Sequence, residues 1–123
     1  MALDRAAILK DGAPSRHLPL VRVDVPEWGG EVWVRTLTGA ELDAFEASRV
    51  RVGKNGKPEL AIANTRGTLA ALCCCDEKGA RLFSDDDAPE LGRLGARGLD
   101  RVYDAAARLN GLSKEAVEEA RGN

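Results

Sequence analysis

The residues of this chain that most resemble a reactive site are three consecutive cysteines, Cys73 to Cys75. They are followed at once by Asp76 and Glu77 and, after a short apolar stretch, by Asp85, Asp86 and Asp87. Thiolates bind zinc or exchange disulfides, and clustered carboxylates bind calcium, so the spacing must decide. A disulfide needs Cα atoms about 4.4 to 6.8 Å apart with side chains facing one another, whereas neighbouring residues point to opposite sides. Zinc takes pairs separated by two to four residues together with a second pair, and here there is no fourth cysteine and the single histidine, His17, lies far upstream. A calcium loop counted from Asp76 places Lys78 and Ala80 at the third and fifth positions and Arg81 where glycine is required. The reading that remains is structural: small, easily buried residues leading out of a helix into a strand in a reducing compartment. Asp-Glu-Lys-Gly between LCCC and ARLF then forms a short hairpin connection with Gly79 free to take a positive φ. Ser84 with Asp87 marks the start of a helix.

Catalytic constellations fare no better. One histidine beside a polar amino terminus assembles neither a Ser-His-Asp nor a Cys-His arrangement. The remaining paired carboxylates sit at helix starts and on polar faces, where capping and solvation account for them. The stretch Gly53-Lys54-Asn55-Gly56-Lys57-Pro58 lacks the spacing of a phosphate loop and follows a helix where such a loop follows a strand, so it reads as a mobile connection. No catalytic, cofactor-binding or metal-ligating residue is therefore assigned, and the chain is not expected to be an enzyme.

Surface chemistry for protein partners is left. LVRVDV (Leu20 to Val25) and EVWVRT (Glu31 to Thr36) alternate apolar with charged residues around the turn Pro26-Glu27-Trp28-Gly29-Gly30, which predicts a hairpin. If Val21, Val23, Val25, Val32 and Val34 share the buried face, Trp33 goes to the other face with Arg22, Asp24, Glu31 and Arg35. Trp28 stands at the hairpin tip, where exposure is expected. Trp28, Trp33, Arg22 and Arg35 are thus the candidate partner-binding residues, since aromatic and arginine anchors are enriched in binding patches. The plain alternative is that Trp33 lies flat over arginine stems as ordinary packing, or that a bulge turns it inward.

The elements that position these residues follow from periodicity. Thr38 with Glu41 fits a capping box and predicts a helix from about Gly39 to Arg51. Glu59 to Leu72 carries apolar residues every three or four positions, a further helix is expected near Asp86 to Leu94, and the clearest helical pattern is Leu99, Val102, Tyr103, Ala106 and Leu109, ended by Asn110-Gly111. Ser113 opens a last amphipathic turn or two. The fold class is α+β: a mainly helical single domain with an N-terminal β-hairpin and a second short hairpin. The domain spans residues 17 to 123 and is preceded by a flexible arm, residues 1 to 16, with at most one helical turn around Ala6 to Leu9. A length of 123 residues suits one core. With 18 basic against 20 acidic residues, interleaved, there is no broad positive field for nucleic acid. No apolar run approaches a membrane span and the amino terminus lacks signal-peptide order, so a cytosolic protein is expected.

The order of segments carries a resemblance. VPEWGGEVWVRTLTGAELDAFEAS followed by TLAALCCCDEKGARLFSDDDAPELGRLGARGLDRVYDAAARLNGLSKEAVEE resembles the tail assembly chaperones of long-tailed phages and their prophage relatives, over about residues 17 to 120. Its most distinctive pieces are the hairpin D-E-K-G-x-R-L-F before an acidic helix start and the late R-L-N-G-L-S. Cys74 and Cys75 stand where an apolar pair is expected, and both tolerate burial. The resemblance implies a non-catalytic protein of the host cytoplasm that binds the tape measure protein, helps recruit tail tube protein subunits, and is absent from the mature virion. It implies the shorter of two products where a frameshift adds a second domain. No binding residues transfer with it. Alanine-rich helices leave room for a homo-oligomer, and a structural head-tail connector, a minor tail protein or a small metal-binding or enzymatic domain are the competing readings.

Overall fold

Alternation of valine with charged residues on two segments joined by a tight turn produces a hairpin because one face of each strand can then be buried. In the computed structural model, which describes residues 2–9, 18–60 and 63–112, β1 (Leu20–Val25) and β2 (Gly30–Arg35) pair antiparallel in continuous register from Leu20↔Arg35 to Val25↔Gly30. A 3-10 turn, Pro26–Trp28, joins them and closes on Gly29, whose φ of 78° is left-handed. Val25, Val32 and Val34 are buried and Val23 packs against them, while Val21 at the open end is exposed.

Before this hairpin lies a five-residue helix, α1 (Arg5–Leu9), with Leu3, Ile8 and Leu9 exposed around it. After it, the capping box holds: Thr38 Oγ1 accepts the Glu41 N–H at 3.1 Å and the Glu41 carboxylate accepts the Thr38 N–H at 2.9 Å, opening α2 (Gly39–Ser48). This helix stops at Ser48, short of the expected Arg51, where the Ser48 hydroxyl donates to the Phe45 carbonyl. Val50-Arg51-Val52 follows as a strand, the conformation β-branched residues favour. The expected mobile connection is in fact the turn of a hairpin, β3 (Val50–Val52) with β4 (Pro58–Leu60). It is closed by the Gly53 N–H on the Lys57 carbonyl at 2.8 Å and by Gly56 at a φ of 75°.

The next helix, α3 (Thr65–Cys73), starts later than expected and runs without a loop into β5 (Cys74–Cys75). β5 pairs with β2, Trp33↔Cys75 and Val34↔Cys74, giving a three-stranded sheet in the order β1-β2-β5. The Asp-Glu-Lys-Gly turn forms as expected: Asp76 Oδ1 accepts the N–H groups of Lys78 (2.8 Å) and Ala80 (3.0 Å), and Gly79 has a φ of 88°. Its second arm, however, is a single bridge, Cys75↔Arg81. The Ser84 helix start also forms, with the Ser84 N–H on the Asp87 carboxylate at 2.9 Å. It leads into a 3-10 turn, Asp85–Asp87, and one turn of helix, α4 (Ala88–Leu91).

Helix α5 (Ala96–Leu109) lies across the valine face of β1 and β2 and against α3. It ends in a Schellman motif: the Leu112 N–H reaches the Ala107 carbonyl, the Gly111 N–H reaches that of Arg108, and Gly111 has a φ of 75°. The core joins Val25, Val34, Phe45, Leu69, Leu99 and Val102, with Ala70, Ala71 and Ala106 permitting close helix approach. The chain is thus an α+β protein with helices on one small antiparallel sheet. His17 and the turn expected from Ser113 lie outside the described residues.

Candidate functional site

The cysteines are delivered to the interior by their place in the fold. Cys73 ends α3, and Cys74 and Cys75 are β5. All are free thiols and no more than 1% exposed. Burial pushes the Cys73 and Cys74 thiols up to about 12, so both are protonated at neutral pH and are poor nucleophiles. Among the described residues no three His, Cys, Asp or Glu side chains converge to hold a metal ion. In the native protein at pH 7 these thiols are expected to resist a soluble disulfide reagent for as long as the fold persists, and to react fully once it is unfolded in guanidinium. Rapid reaction of the folded chain would contradict this placement.

The four candidate surface residues do not form one patch. Arg35 was expected on an exposed charged face and is instead buried, 7% exposed. Alternation places it opposite the valines as expected, but that end of the face is covered. Arg35 Nε donates to the Leu72 carbonyl at the end of α3 at 2.9 Å, and its Nη1 and Nη2 donate to the Glu41 carboxylate at 3.0 and 2.8 Å. These contacts hold the Glu41 carboxyl down at about 2, with the arginine hydrogen bonds as the main cause. Arg35 is a fastener between β2, α2 and α3 and is unavailable to a partner.

Trp33 and Arg22 do lie side by side across β1 and β2, on the face away from the valines. Trp33 is half-buried in unbroken register, so no bulge turns it inward. Arg22 is exposed and paired with Glu31 at 3.3 Å. Trp28 differs from expectation: it is half-buried and packed against the core, not free at the hairpin tip. Its indole lies over Gly98 in the first turn of α5, where an added Cβ would stand 2.7 Å from Nε1. The adjoining Glu27 carboxylate accepts from Arg101 Nε (2.7 Å) and Nη2 (3.2 Å), and these bonds lower its pKa and tie the tip to α5.

The turn and helix that receive Trp28 leave an open cleft of about 370 Å³ bounded by Glu27, Trp28, Leu94, Ala96, Arg97 and Gly98, so that one carboxylate and one guanidinium share its rim. A second cleft of about 240 Å³ lies on the other side of the same Leu94 to Ala96 link, reaching Asn64 and Arg66. Leu94 forms the ridge between them and is 44% exposed. Leu94, Arg97 and Gly98 carry no signal that sequence reading connects to Trp28, about seventy residues earlier. Only the packed helix brings them together.

No model of a known protein family matches the sequence, and no curated protein matches it. Among solved structures, the chain is similar to the bacteriophage HK97 tail assembly chaperone, with a TM-score of 0.55 and 19% identity over 86% of this chain and 96% of that one. The two share a fold over nearly their whole lengths.

Proposed function

We propose that this chain is a phage tail assembly chaperone: a non-catalytic protein that binds the tape measure protein and helps gather tail tube protein subunits around it. The observation that carries this is the shared fold with the HK97 tail assembly chaperone over 86% of the chain. The segment order read from the sequence supports it independently. So does the character of the site. The cysteines are locked in the core, and the acidic turns are used up in capping and hairpin closure. The open features are clefts fit for side chains of another protein.

The protein acts in the host cytoplasm in this reading and leaves before the particle is complete. Deleting its gene from the producing phage is expected to abolish tails while heads still form, and mass spectrometry is expected to find the protein in the lysate but not in purified virions. Stoichiometric retention in virions would instead indicate a connector or minor tail protein. A homo-oligomer formed around the tape measure protein belongs to the same proposal, and sedimentation of the isolated chain measures it.

A further inference from the structure

We propose that Asn55 is a site of spontaneous covalent modification, at which the side-chain amide is lost as ammonia, and that the fold withholds the same reaction from Asn110. The inference concerns the chain's own chemistry and is independent of any client.

Asparagine followed by glycine is the reactive pair, because the next backbone nitrogen attacks the side-chain carbonyl carbon and glycine has no Cβ to obstruct that approach. Such a pair occurs twice, at Asn55-Gly56 and Asn110-Gly111, whereas Asn64 precedes the β-branched Thr65. In the reaction the Gly56 nitrogen gives up its proton and bonds to Asn55 Cγ. The Cγ–Nδ2 bond breaks, and ammonia leaves with that proton. The cyclic succinimide then adds water at either carbonyl: opening at Cγ gives aspartate, and opening at the main-chain carbonyl gives isoaspartate, whose backbone runs through the former side chain. One water is consumed and one ammonia released, with no oxidant or cofactor.

The two pairs are alike in sequence and opposite in structure. Asn55 stands exposed in the turn of the β3–β4 hairpin, and its side chain makes no hydrogen bond among the described residues. The space about Gly56 is open. One bond restrains the nucleophile, from the Gly56 N–H to the Gly53 carbonyl at 3.0 Å. It lies in the turn of a separate two-stranded sheet, which opens locally without disturbing the core. Asn110 is half-buried at the end of α5, and both ends of its amide are engaged: Oδ1 accepts the Leu37 N–H at 2.8 Å, and Nδ2 donates to the Ala106 carbonyl at 2.9 Å. Turning that amide onto the Gly111 nitrogen breaks both bonds and strips the Leu37 N–H of its acceptor. Reaction at Asn110 therefore waits for the end of α5 to open.

The product alters the hairpin. Isoaspartate inserts one carbon into the main chain between Gly53 and Lys57, whose 2.8 Å N–H to carbonyl bond closes the turn, and it adds a negative charge. Val50 and Val52 are 49% and 78% exposed, so core packing does little to restore the register.

The test is incubation of the full chain at mildly alkaline pH, where more of the amide nitrogen is deprotonated, followed by peptide mapping with mass spectrometry and isoaspartate labelling by a carboxyl methyltransferase. In the native chain Asn55 is expected to convert at least about tenfold faster than Asn110, since reaction at Asn110 requires local unfolding. In guanidinium the two rates should come together. Asn55→Gln should stay unconverted at that position, because the longer side chain closes the corresponding ring far more slowly. Hydrogen exchange at the Gly53 amide should accelerate in aged wild type and not in aged Asn55→Gln. Equal native rates at the two asparagines, or a native Asn55 that stays intact while the unfolded chain converts, would overturn the proposal. Unchanged protection of Gly53 in fully converted chain would overturn its consequence for the hairpin.

Discussion

Arg35→Ala is expected to lower the stability of the folded chain by about 3 kcal/mol, the lower end of the range for stripping one partner from a buried ion pair, because the Glu41 side chain it leaves behind is 30% exposed. The large effect comes from what the guanidinium joins. A single side chain satisfies the Leu72 carbonyl at the end of α3 and both oxygens of Glu41, whose carboxylate also caps α2 through the Thr38 N–H. Truncation leaves that carboxylate without its counter-charge and the carbonyl without a donor. Arg35→Lys, which keeps charge but not the planar fork, should fall between wild type and alanine.

The same pair sets an acid limit. Glu41 titrates at about 2 in the folded chain against an ordinary 4.5, so its contribution is fully present above about pH 4.5 and is lost as pH falls toward 2. The amount is on the order of 2–3 kcal/mol by linkage. Denaturant midpoints for wild type and Glu41→Gln, followed from pH 6 to pH 2.5, should therefore converge as the solution is acidified. Parallel curves would contradict the assignment.

Leu99→Ala is expected to cost about 2–5 kcal/mol, because the side chain is 3% exposed among valines of the sheet and residues of α3 and cannot be replaced by water. Leu109, which reads as equally central from its spacing, is only half-buried at the last turn of α5 and packs against the edge of the core, so its truncation should cost less. Arg101→Ala on the outer face should cost least, since it removes an exposed pair with Glu27. Urea midpoints should rank the variants in that order. Equal midpoints for Leu99→Ala and wild type would mean that α5 presents a different face to the sheet.

The parts of the fold legible in the sequence are those specified by neighbours in the chain. Valine alternation fixed the register of β1 and β2, Thr38 with Glu41 fixed the start of α2, and Asn110-Gly111 fixed the end of α5, because each involves residues within a few positions of one another. The β3–β4 hairpin was missed because its glycines and lysines dominate the pattern, while the strand signal is only Val50 and Val52, and these remain 49% and 78% exposed. Arg35 shows the other limit. Strand alternation assigned its face correctly, but the group that buries it, the Leu72 carbonyl, is thirty-seven residues away. Trp28 looks free in a turn until the helix beginning at Ala96 supplies a glycine for the indole to lie on.

The proposed function has this chain hold the tape measure protein, and the most direct measurement is calorimetric titration of the folded chain into that protein under native conditions. The expected result is saturable binding that disappears when the chain is unfolded beforehand. A flat titration, with both proteins shown to be folded and soluble, would contradict it.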